Sequence, residues 1–216
     1  MSKIVVFGAG GRAGRRAVAE AVDRGHQVSA VVRDPAKYGY LADGGVTVVA
    51  GDVTRADSVF AAAQGHDVAV NATYTSEVSS ETFYVGAAHA LLDGLARAGV
   101  PRLVAIGIGT TLETAPGVRV MDAPGFPEDA LVFSQGHAAE LEVFRAADTE
   151  IDWLVLAPPP VFLADDVART GHYRLGGVAV LPEVEGAGPF SYADLAVALL
   201  DEIETPKHHR ALVAVG

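Results

Sequence analysis

Cysteine is absent from this chain, which excludes disulfide bonds, thiol catalysis and cysteine-ligated metals. Basic residues are few: 16 lysines and arginines accompany 27 acidic residues, for a formal net charge of −11. Because such a charge repels phosphate backbones and anionic lipid surfaces, neither nucleic acid nor a membrane is expected as a partner. No apolar run approaches the roughly 18 residues of a membrane helix, and the first strand begins without a signal peptide ahead of it. The expected location is therefore cytoplasmic.

Apolar runs of strand length alternate with segments of helical period along most of the chain. The expected strands span 3–8, 26–33, 45–51, 66–73, 101–107 and 151–160, and the expected helices span 14–25, 55–65, 81–99 and 128–147. Strands with apolar centres that are separated by helices are typical of a parallel sheet covered on both faces. The fold class is therefore α/β, with a doubly wound, mostly parallel sheet.

The pattern changes after Pro160. Three further elements are expected: a glycine-turned hairpin over 171–182, a helix over 191–204 and a last strand over 210–216. A chain of 216 residues has the size of one domain. We therefore expect a single domain over 1–216, in which residues 158–190 form a lid or substrate region.

Four glycines lie within seven positions at the first junction between strand and helix. In dinucleotide-binding folds, glycines at this junction permit a tight turn and let a pyrophosphate lie on backbone N–H groups at the start of the helix. A tight turn without a ligand is the alternative, but the place of the motif in an alternating α/β chain favours a Rossmann fold that binds NAD(P). The cofactor-binding candidates in this turn are Gly8, Gly10, Gly11, Arg12, Ala13 and Gly14.

The end of the second strand decides which dinucleotide is expected. Arginine there favours the 2′-phosphate of NADP, and an acidic residue favours the ribose hydroxyl of NAD. Arg33 comes first and Asp34 follows, and Arg33 together with Arg12 can clamp a phosphate in an otherwise acidic protein. We therefore predict NADP(H), with NAD(H) as the alternative. In the other interpretation, Arg33 is a solvated strand end and Asp34 caps the turn before Pro35.

Later loops supply the remaining cofactor-binding candidates, because ligands collect at the carboxyl ends of parallel strands. The candidates that follow the third, fourth and sixth strands are Asp52, Val53, Ala72, Thr73, Tyr74 and Pro158. Asp52 and Val53 are placed to border the adenine, although the same residues suit a turn and helix cap. Tyr74 can stack on a nicotinamide or a flavin. Pro158 is expected to steer the chain over the nicotinamide, or else simply to end its strand.

Several stretches together resemble one branch of the atypical short-chain dehydrogenases. The stretches are "GAGGRAG", "RGHQVSAVVRDPAK", "GDVTRADSV", "GHDVAVNA", "LETAPG", "IDWLVLAPPPVF", "RTGHYRLGG" and "SYADLAVALLDEIETPKH". This branch, the NADH-flavin reductases, is related to biliverdin reductase B and to NmrA-like proteins. The resemblance covers almost the whole chain and implies NAD(P)H binding, with FMN or FAD as a substrate rather than a prosthetic group. Thr110 stands where the branch usually has a serine, and "APPP" replaces its usual "SPA". Because of these two differences, the resemblance does not determine the identity of the acceptor.

The catalytic pair of most carbonyl-reducing short-chain dehydrogenases, Tyr-x-x-x-Lys, is missing. None of the six tyrosines is followed by a lysine four residues later. The helix over 128–147 offers Ser134, His137 and Glu140 instead. A flavin needs no such phenol, because the charge it receives spreads over its ring system. The candidate catalytic residues are Thr110 and His137, and their alternative roles are turn chemistry for Thr110 and packing for His137.

The predicted function is a reductase that transfers hydride from NADPH to a small flavin- or quinone-like acceptor. The alternatives are an NADP-sensing regulator of the NmrA type and a reductase of one specific metabolite. No metal is expected, since the adjacent His208 and His209 face different ways. The protein is expected to be a monomer or a homodimer.

Overall fold

The structure is a computed structural model that describes residues 1–161, 163–186 and 188–216. Its strands are β1 Lys3–Phe7, β2 Gln27–Val32, β3 Thr47–Ala50, β4 Val68–Asn71, β5 Arg102–Ile106, β6 Glu113–Ala115, β7 Val118–Arg119, β8 Asp152–Ala157 and β9 Ala211–Ala214. Its α-helices are α1 Arg12–Asp23, α2 Ala56–Ala63, α3 Ser80–Ala98, α4 Glu128–Ala146 and α5 Tyr192–Glu204.

Seven strands form one sheet in the order β3-β2-β1-β4-β5-β8-β9, and every neighbouring pair is parallel. β1 and β4 are neighbours although β2 and β3 come between them in the chain. The direction in which strands are added therefore reverses between β1 and β4. In open α/β sheets, ligands bind at the carboxyl ends of the strands at such a switch point. The topology confirms the predicted doubly wound Rossmann fold and locates its crevice.

Helices cover both faces of the sheet, as the apolar strand centres predict. One core cluster packs α2, α3 and α4 against the sheet, and its largest buried side chains include Leu91, Leu103 and Phe144. The other cluster packs α1 and α5 on the opposite face and includes Leu195 and Leu199. Each of these leucines is almost fully buried, so truncating one to alanine removes about 2–5 kcal/mol of stability.

The hairpin expected over 171–182 is not formed. The backbone of Arg174 exchanges hydrogen bonds with Gly216 beyond the end of β9, at 2.6 and 3.0 Å. Gly176 and Gly177 pair with Ala214 of β9, with both hydrogen bonds at 2.9 Å. The residues after them pair with β6: Glu113 N–H donates to Val178 O, and Val180 N–H donates to Glu113 O. The open edge of β9 and the nearby β6 have free backbone groups, and these satisfy the segment better than a local turn would. The predicted last strand is confirmed as β9.

The segment 163–175, called the tether segment below, lies against α1 and α5. Arg169 donates two hydrogen bonds to Glu20, at 2.8 and 2.9 Å. The carboxylate of Asp194, at the start of α5, accepts from the backbone N–H of Thr170 and Gly171. The lid assignment for 158–190 stays a prediction, and it includes residues 162 and 187, which lie outside the described residues.

No helix in the described ranges combines the length and the apolar character that crossing a membrane requires.

Candidate functional site

A cleft of about 510 Å³ opens at the switch point of the sheet. The predicted cofactor residues that line it are Gly8, Gly10, Gly11, Arg33, Asp52, Val53, Ala72, Thr73 and Tyr74. Other predicted residues lie outside the lining that the described part of the chain forms, namely Arg12, Ala13, Gly14 and Pro158. The structure therefore brings residues from the loops after β1, β2, β3 and β4 into one crevice, at the place expected for a dinucleotide.

Two glycines of the first turn are required by the fold itself. Gly8 has φ +76°, and a Cβ there would lie 2.5 Å from the carbonyl oxygen of Ala72. A Cβ on Gly14 would lie 2.1 Å from the carbonyl oxygen of Gly8. These glycines allow the turn after β1 to pack against the loop after β4 and against α1. They would be needed with or without a ligand.

Gly11 is different, because nothing in the fold requires its missing side chain. A Cβ there would come no closer than 3.4 Å to any neighbouring atom, and its φ of −76° suits any residue. Gly11 is also the N-cap of α1, and no side chain caps that helix. Gly11 itself lines the cleft, so the amino-terminal end of α1, which carries the positive end of the helix dipole, lies at the cleft. These features fit the diphosphate of a dinucleotide.

The role of Gly10 was not foreseen from the sequence. A Cβ at this position would lie only 2.2 Å from the ring of Tyr38, in the loop after β2. Tyr38 is half-buried and lines the cleft beside Lys37. Tyr38 and Gly10 are 28 residues apart, and no local pattern marks a loop tyrosine as the partner of a distant glycine turn. The sequence analysis therefore did not predict this contact.

Two polar residues of the cleft lining that are predicted to bind the nucleotide, Arg33 and Asp52, have protein partners. Arg33 is exposed and forms an ion pair with Glu77, with 2.6 Å between Nη1 and Oε2. Asp52 accepts hydrogen bonds from the backbone N–H and the hydroxyl of Thr54, at 2.9 and 2.7 Å. Asp52 therefore caps a turn, as its alternative interpretation expects, while it also lines the cleft. Asp34 likewise caps a turn, since its carboxylate accepts from Ala36 N–H.

Thr110 lies in the turn after β5, and its hydroxyl is 2.7 Å from that of Ser134 on α4. Ser134 donates its own proton to the carbonyl of Ala130, 2.7 Å away. Each hydroxyl has one proton, so Thr110 must be the donor in the contact with Ser134. In this arrangement Thr110 can accept a hydrogen bond from a ligand but cannot donate one.

His137 is buried in α4, one turn after Ser134. Its Nδ1 lies 3.2 Å from the carboxylate of Glu140. Its ring is tilted against that of Tyr84 with the centroids 3.8 Å apart, and Phe133 contacts it edge-on at 5.1 Å. Thr110 and His137 are therefore brought to neighbouring positions through α4. Neither of them is part of the cleft lining described above.

Three aromatic side chains form a continuous group that we call the aromatic wall: Tyr74, Phe133 and Tyr84. The ring centroids of Tyr74 and Phe133 are 5.7 Å apart, and those of Phe133 and Tyr84 are 5.9 Å apart, both edge to face. Tyr74 is exposed and lines the cleft, whereas Tyr84 is buried. Burial, together with the charge of Glu140, raises the pKa of Tyr84 far above its usual value, so this phenol stays protonated.

Pro158 follows β8 and packs against the turn after β5. A Cβ on Gly109 would lie 2.3 Å from the carbonyl oxygen of Pro158. The prolines after β8 and the turn that carries Thr110 are thus in direct contact. This places Pro158 beside the candidate catalytic turn.

No group of three or more metal-ligating side chains comes together within the ranges that the structure describes. His208 and His209 have separate carboxylate partners, Glu202 and Asp152, each 2.7 Å away. These two histidines therefore make hydrogen-bonded contacts at the opposite, amino-terminal edge of the sheet.

Comparison with curated proteins shows a relative of nearly the same length. The uncharacterized protein YwnB of Bacillus subtilis is 34% identical over 212 residues, which cover 95% of this chain and 94% of YwnB. The isoflavone reductase homolog IRL of Zea mays is 36% identical over 94 residues, or 40% of this chain and 30% of that protein.

Solved structures show the same fold over the full length. A "putative exported protein" from Burkholderia pseudomallei has 33% identity and a TM-score of 0.87, with 100% of both chains covered. A "putative NADH-flavin reductase" from Streptococcus pneumoniae has 26% identity and a TM-score of 0.83, with 100% of this chain and 99% of that chain covered. Because the Burkholderia protein is named as an exported one, the cytoplasmic location of this protein stays a prediction.

The family comparison agrees with the geometry of the cleft. The sequence profile described as NAD(P)H-binding matches residues 8–206, which begin at the first glycine of the turn and end after α5. The match includes every residue that lines the cleft except Phe7. The chain therefore belongs to the NAD(P)H-binding family.

Proposed function

We propose that this protein is an NADPH-dependent oxidoreductase that reduces a small flavin, a quinone or a similar planar acceptor. The aromatic wall is the observation that carries the proposal, because its exposed end, Tyr74, lines the cofactor cleft. Flat conjugated molecules bind well against aromatic side chains. The NAD(P)H-binding family and the similarity to the "putative NADH-flavin reductase" support the coarser part of the proposal, which is nicotinamide-dependent oxidoreduction.

The bound nucleotide supplies the reducing hydride, and the chain's own residues hold it in place. Gly11 and the uncapped start of α1 offer room and N–H donors to a diphosphate. Arg33 offers the cation for a 2′-phosphate, with Lys37 also in the lining. Tyr74 lies at the boundary between this cleft and Phe133, where a planar acceptor would stack. The contribution of the protein is then mainly to align two flat rings.

The side chains near this boundary are poorly suited to protonate an alkoxide. Thr110 has committed its proton to Ser134, and Tyr84 is buried with a raised pKa. No lysine is available on α4 to lower the pKa of a tyrosine. A flavin or a quinone does not need such a proton donor for hydride transfer, because its reduced form spreads the negative charge over several atoms. We propose His137 as the remaining candidate for proton donation.

A second candidate function is NADP sensing without turnover, as in the NmrA-like relatives. It is favoured by the same internal hydrogen bonds, since both Thr110 and His137 have protein partners in this structure. In that case nucleotide binding shifts the affinity of the protein for another macromolecule. A reductase of one specific metabolite differs from the main proposal only in the acceptor.

The test is anaerobic stopped-flow oxidation of NADPH, after calorimetry has shown that NADPH binds. FMN, riboflavin and menadione are the acceptors, and the loss of nicotinamide absorbance is followed. We expect oxidation that saturates with the flavin or the quinone. Bound NADPH that stays reduced with all three acceptors would contradict the proposal and support sensing. A nucleotide that does not bind at all would contradict both candidate functions.

A further inference from the structure

Four side chains form a hydrogen-bonded series from the cofactor cleft into α4. Thr73, in the cleft lining, donates its hydroxyl proton to Asn71 Oδ1 at 2.7 Å. Asn71 Nδ2 in turn donates to Glu140 Oε1 at 3.3 Å. Glu140 Oε2 lies 3.2 Å from His137 Nδ1. Membership of the NAD(P)H-binding family does not by itself assign a role to Asn71 or to Glu140.

The inner part of this series is buried. Asn71 and Glu140 are each 2% exposed, and His137 is 7% exposed. In the described part of the chain, Glu140 has no arginine or lysine partner, and its side-chain hydrogen-bond partners are Asn71 and His137. A buried carboxylate without a cation is costly, so Glu140 depends on its hydrogen bonds with Asn71 and His137.

We propose that Glu140 and Asn71 are positioning residues for His137. The carboxylate of Glu140 accepts the Nδ1–H of His137, which fixes the ring and leaves Nε2 as the nitrogen for the reaction. Asn71 holds the other oxygen of Glu140 and links it to Thr73. The same logic applies where a carboxylate orients a catalytic histidine through Nδ1. The proposal rests on the proposed function, because it names the source of the proton.

The proton balance is complete with the reactants already named. The acceptor gains a hydride from NADPH and one proton from Nε2 of His137, and NADP⁺ leaves. His137 then regains a proton from water, and Glu140 stabilises the protonated ring. The titratable groups that face His137 are Glu140 from its own helix and Tyr84 from α3, with Tyr74 further along the aromatic wall.

The substitution Glu140→Gln in the full-length protein tests the positioning. Glutamine has nearly the same shape, but it has no charge and its amide can donate to Nδ1. We expect the Nδ1–H signal of His137 in the ¹⁵N-histidine NMR spectrum, assigned by its loss in His137→Asn, to disappear. We also expect kcat to fall about tenfold or more, because proton donation commonly contributes at least that factor. The KM for NADPH should stay unchanged.

Glu142→Gln is the matched control, since Glu142 lies on the same helix, is exposed and pairs only with Arg145 in the described residues. It should leave both readouts as in the wild type. A His137 signal and a kcat that are also unchanged in Glu140→Gln would overturn the proposal. If Glu140→Gln does not fold, Asn71→Ser is measured, and wild-type kcat in that variant would overturn it equally. The NMR readout needs no turnover, so it separates failed positioning from failure of the proposed function.

Discussion

Arg33 and Glu77 form an ion pair within the lining of the cofactor cleft, with 2.6 Å between guanidinium and carboxylate. Arg33 follows β2, and Glu77 lies in the loop between β4 and α3. The carboxylate of Glu77 therefore pairs with the guanidinium of Arg33, which the proposed function assigns to the 2′-phosphate of NADPH. Both side chains are more than 60% exposed, and such a pair is worth only about 0–1 kcal/mol. A doubly charged phosphate can displace it at small cost.

The first prediction concerns cofactor choice. Arg33→Ala should weaken NADPH binding roughly ten- to a hundredfold, because it removes a charge-assisted hydrogen bond worth about 1.5–3 kcal/mol. The affinity for NADH should hardly change, since NADH has no 2′-phosphate. Isothermal titration calorimetry with both nucleotides measures the difference. Equal losses for the two nucleotides would refute the assignment of Arg33 to the phosphate.

Glu77→Gln should act in the opposite direction. Removing the competing carboxylate frees Arg33, so NADPH should bind about two- to fivefold more tightly, in line with the worth of an exposed ion pair. NADH binding should stay the same. Glu81→Gln is the matched control, because Glu81 is an exposed residue in the first turn of α3, outside the cleft lining. Weaker NADPH binding in Glu77→Gln would show that Glu77 assists the cofactor rather than competing with it.

Much of the fold follows from the sequence because parallel strands need helical crossovers, and each strand and helix is marked by its own local pattern. The segment 171–182 shows the limit of that reasoning. Gly176 and Gly177 suggest a turn, but the backbone partners of this segment are Glu113, Ala214 and Gly216, which are distant in sequence. No local pattern reveals which distant strand edge remains open for pairing.

In the candidate site, too, contacts between residues close in sequence are predictable and contacts between distant residues are not. The glycine turn is predictable because its residues are consecutive, and His137 with Glu140 is predictable because the two are one helical turn apart. Arg33 and Glu77 are 44 residues apart, and Asn71 and Glu140 are 69 residues apart. These partners are set by the order of the strands in the sheet, and a single sequence does not give such contacts. Asn71 could still have been noticed as a polar end to an apolar strand.

The second prediction separates the glycine that the ligand needs from one that the fold needs. Gly11→Ala should weaken NADPH binding at least about tenfold, because a methyl group would occupy the space that the proposed function assigns to the diphosphate. The free energy of unfolding of Gly11→Ala should fall by no more than about 1 kcal/mol, the usual difference between glycine and alanine at an N-cap. Calorimetry and thermal unfolding measure the two effects.

Gly14→Ala is the matched comparison. Its Cβ would lie 2.1 Å from the carbonyl oxygen of Gly8, so the variant should lose several kcal/mol of stability before any ligand is added. Tight NADPH binding in Gly11→Ala would show that the diphosphate does not lie over this turn.

The third prediction concerns acid stability. Hydrogen bonds from Arg169, with a further contribution from Arg24, lower the pKa of the buried Glu20 below its ordinary 4.5 despite burial. The folded state therefore binds this proton more weakly than the unfolded state, and the contact stabilises the protein above that pH. The stabilisation is lost as the pH falls from about 4.5 through the lowered pKa. Glu20→Gln should cost about 2 kcal/mol at neutral pH, the size of a hydrogen bond to a charged group.

Urea unfolding at several pH values between neutral and acid measures this dependence. The difference between wild type and Glu20→Gln should be largest near neutrality and should shrink below pH 4.5. Glu150→Gln, at an exposed position before β8, should follow the wild type throughout. A constant difference at all pH values would mean that the contribution of Glu20 does not depend on its charge. It would also remove one electrostatic contact between the tether segment and α1, and the pairing of Asp165 with Arg15 and Arg16 would remain.

The last prediction concerns the acceptor. Phe133 contacts Tyr74 and Tyr84 but does not line the cofactor cleft, so it should affect the acceptor without affecting the nucleotide. Phe133→Ala should raise the KM for FMN roughly three- to tenfold, since aromatic contacts are worth about 0.5–1.5 kcal/mol. The Kd for NADPH should remain that of the wild type. Phe60→Ala, on α2, is the matched control and should change neither constant.

Phe133→Leu refines the argument, because leucine keeps apolar contact but has no ring to stack. A KM between those of the wild type and Phe133→Ala would indicate that stacking and apolar burial both contribute. An unchanged KM in Phe133→Ala would place the acceptor away from the aromatic wall, and the wall is the observation on which a planar acceptor depends. A rise in the Kd for NADPH would instead mean that the aromatic wall binds the nicotinamide itself. The acceptor would then have to approach from the side of Pro158 and the turn that carries Thr110.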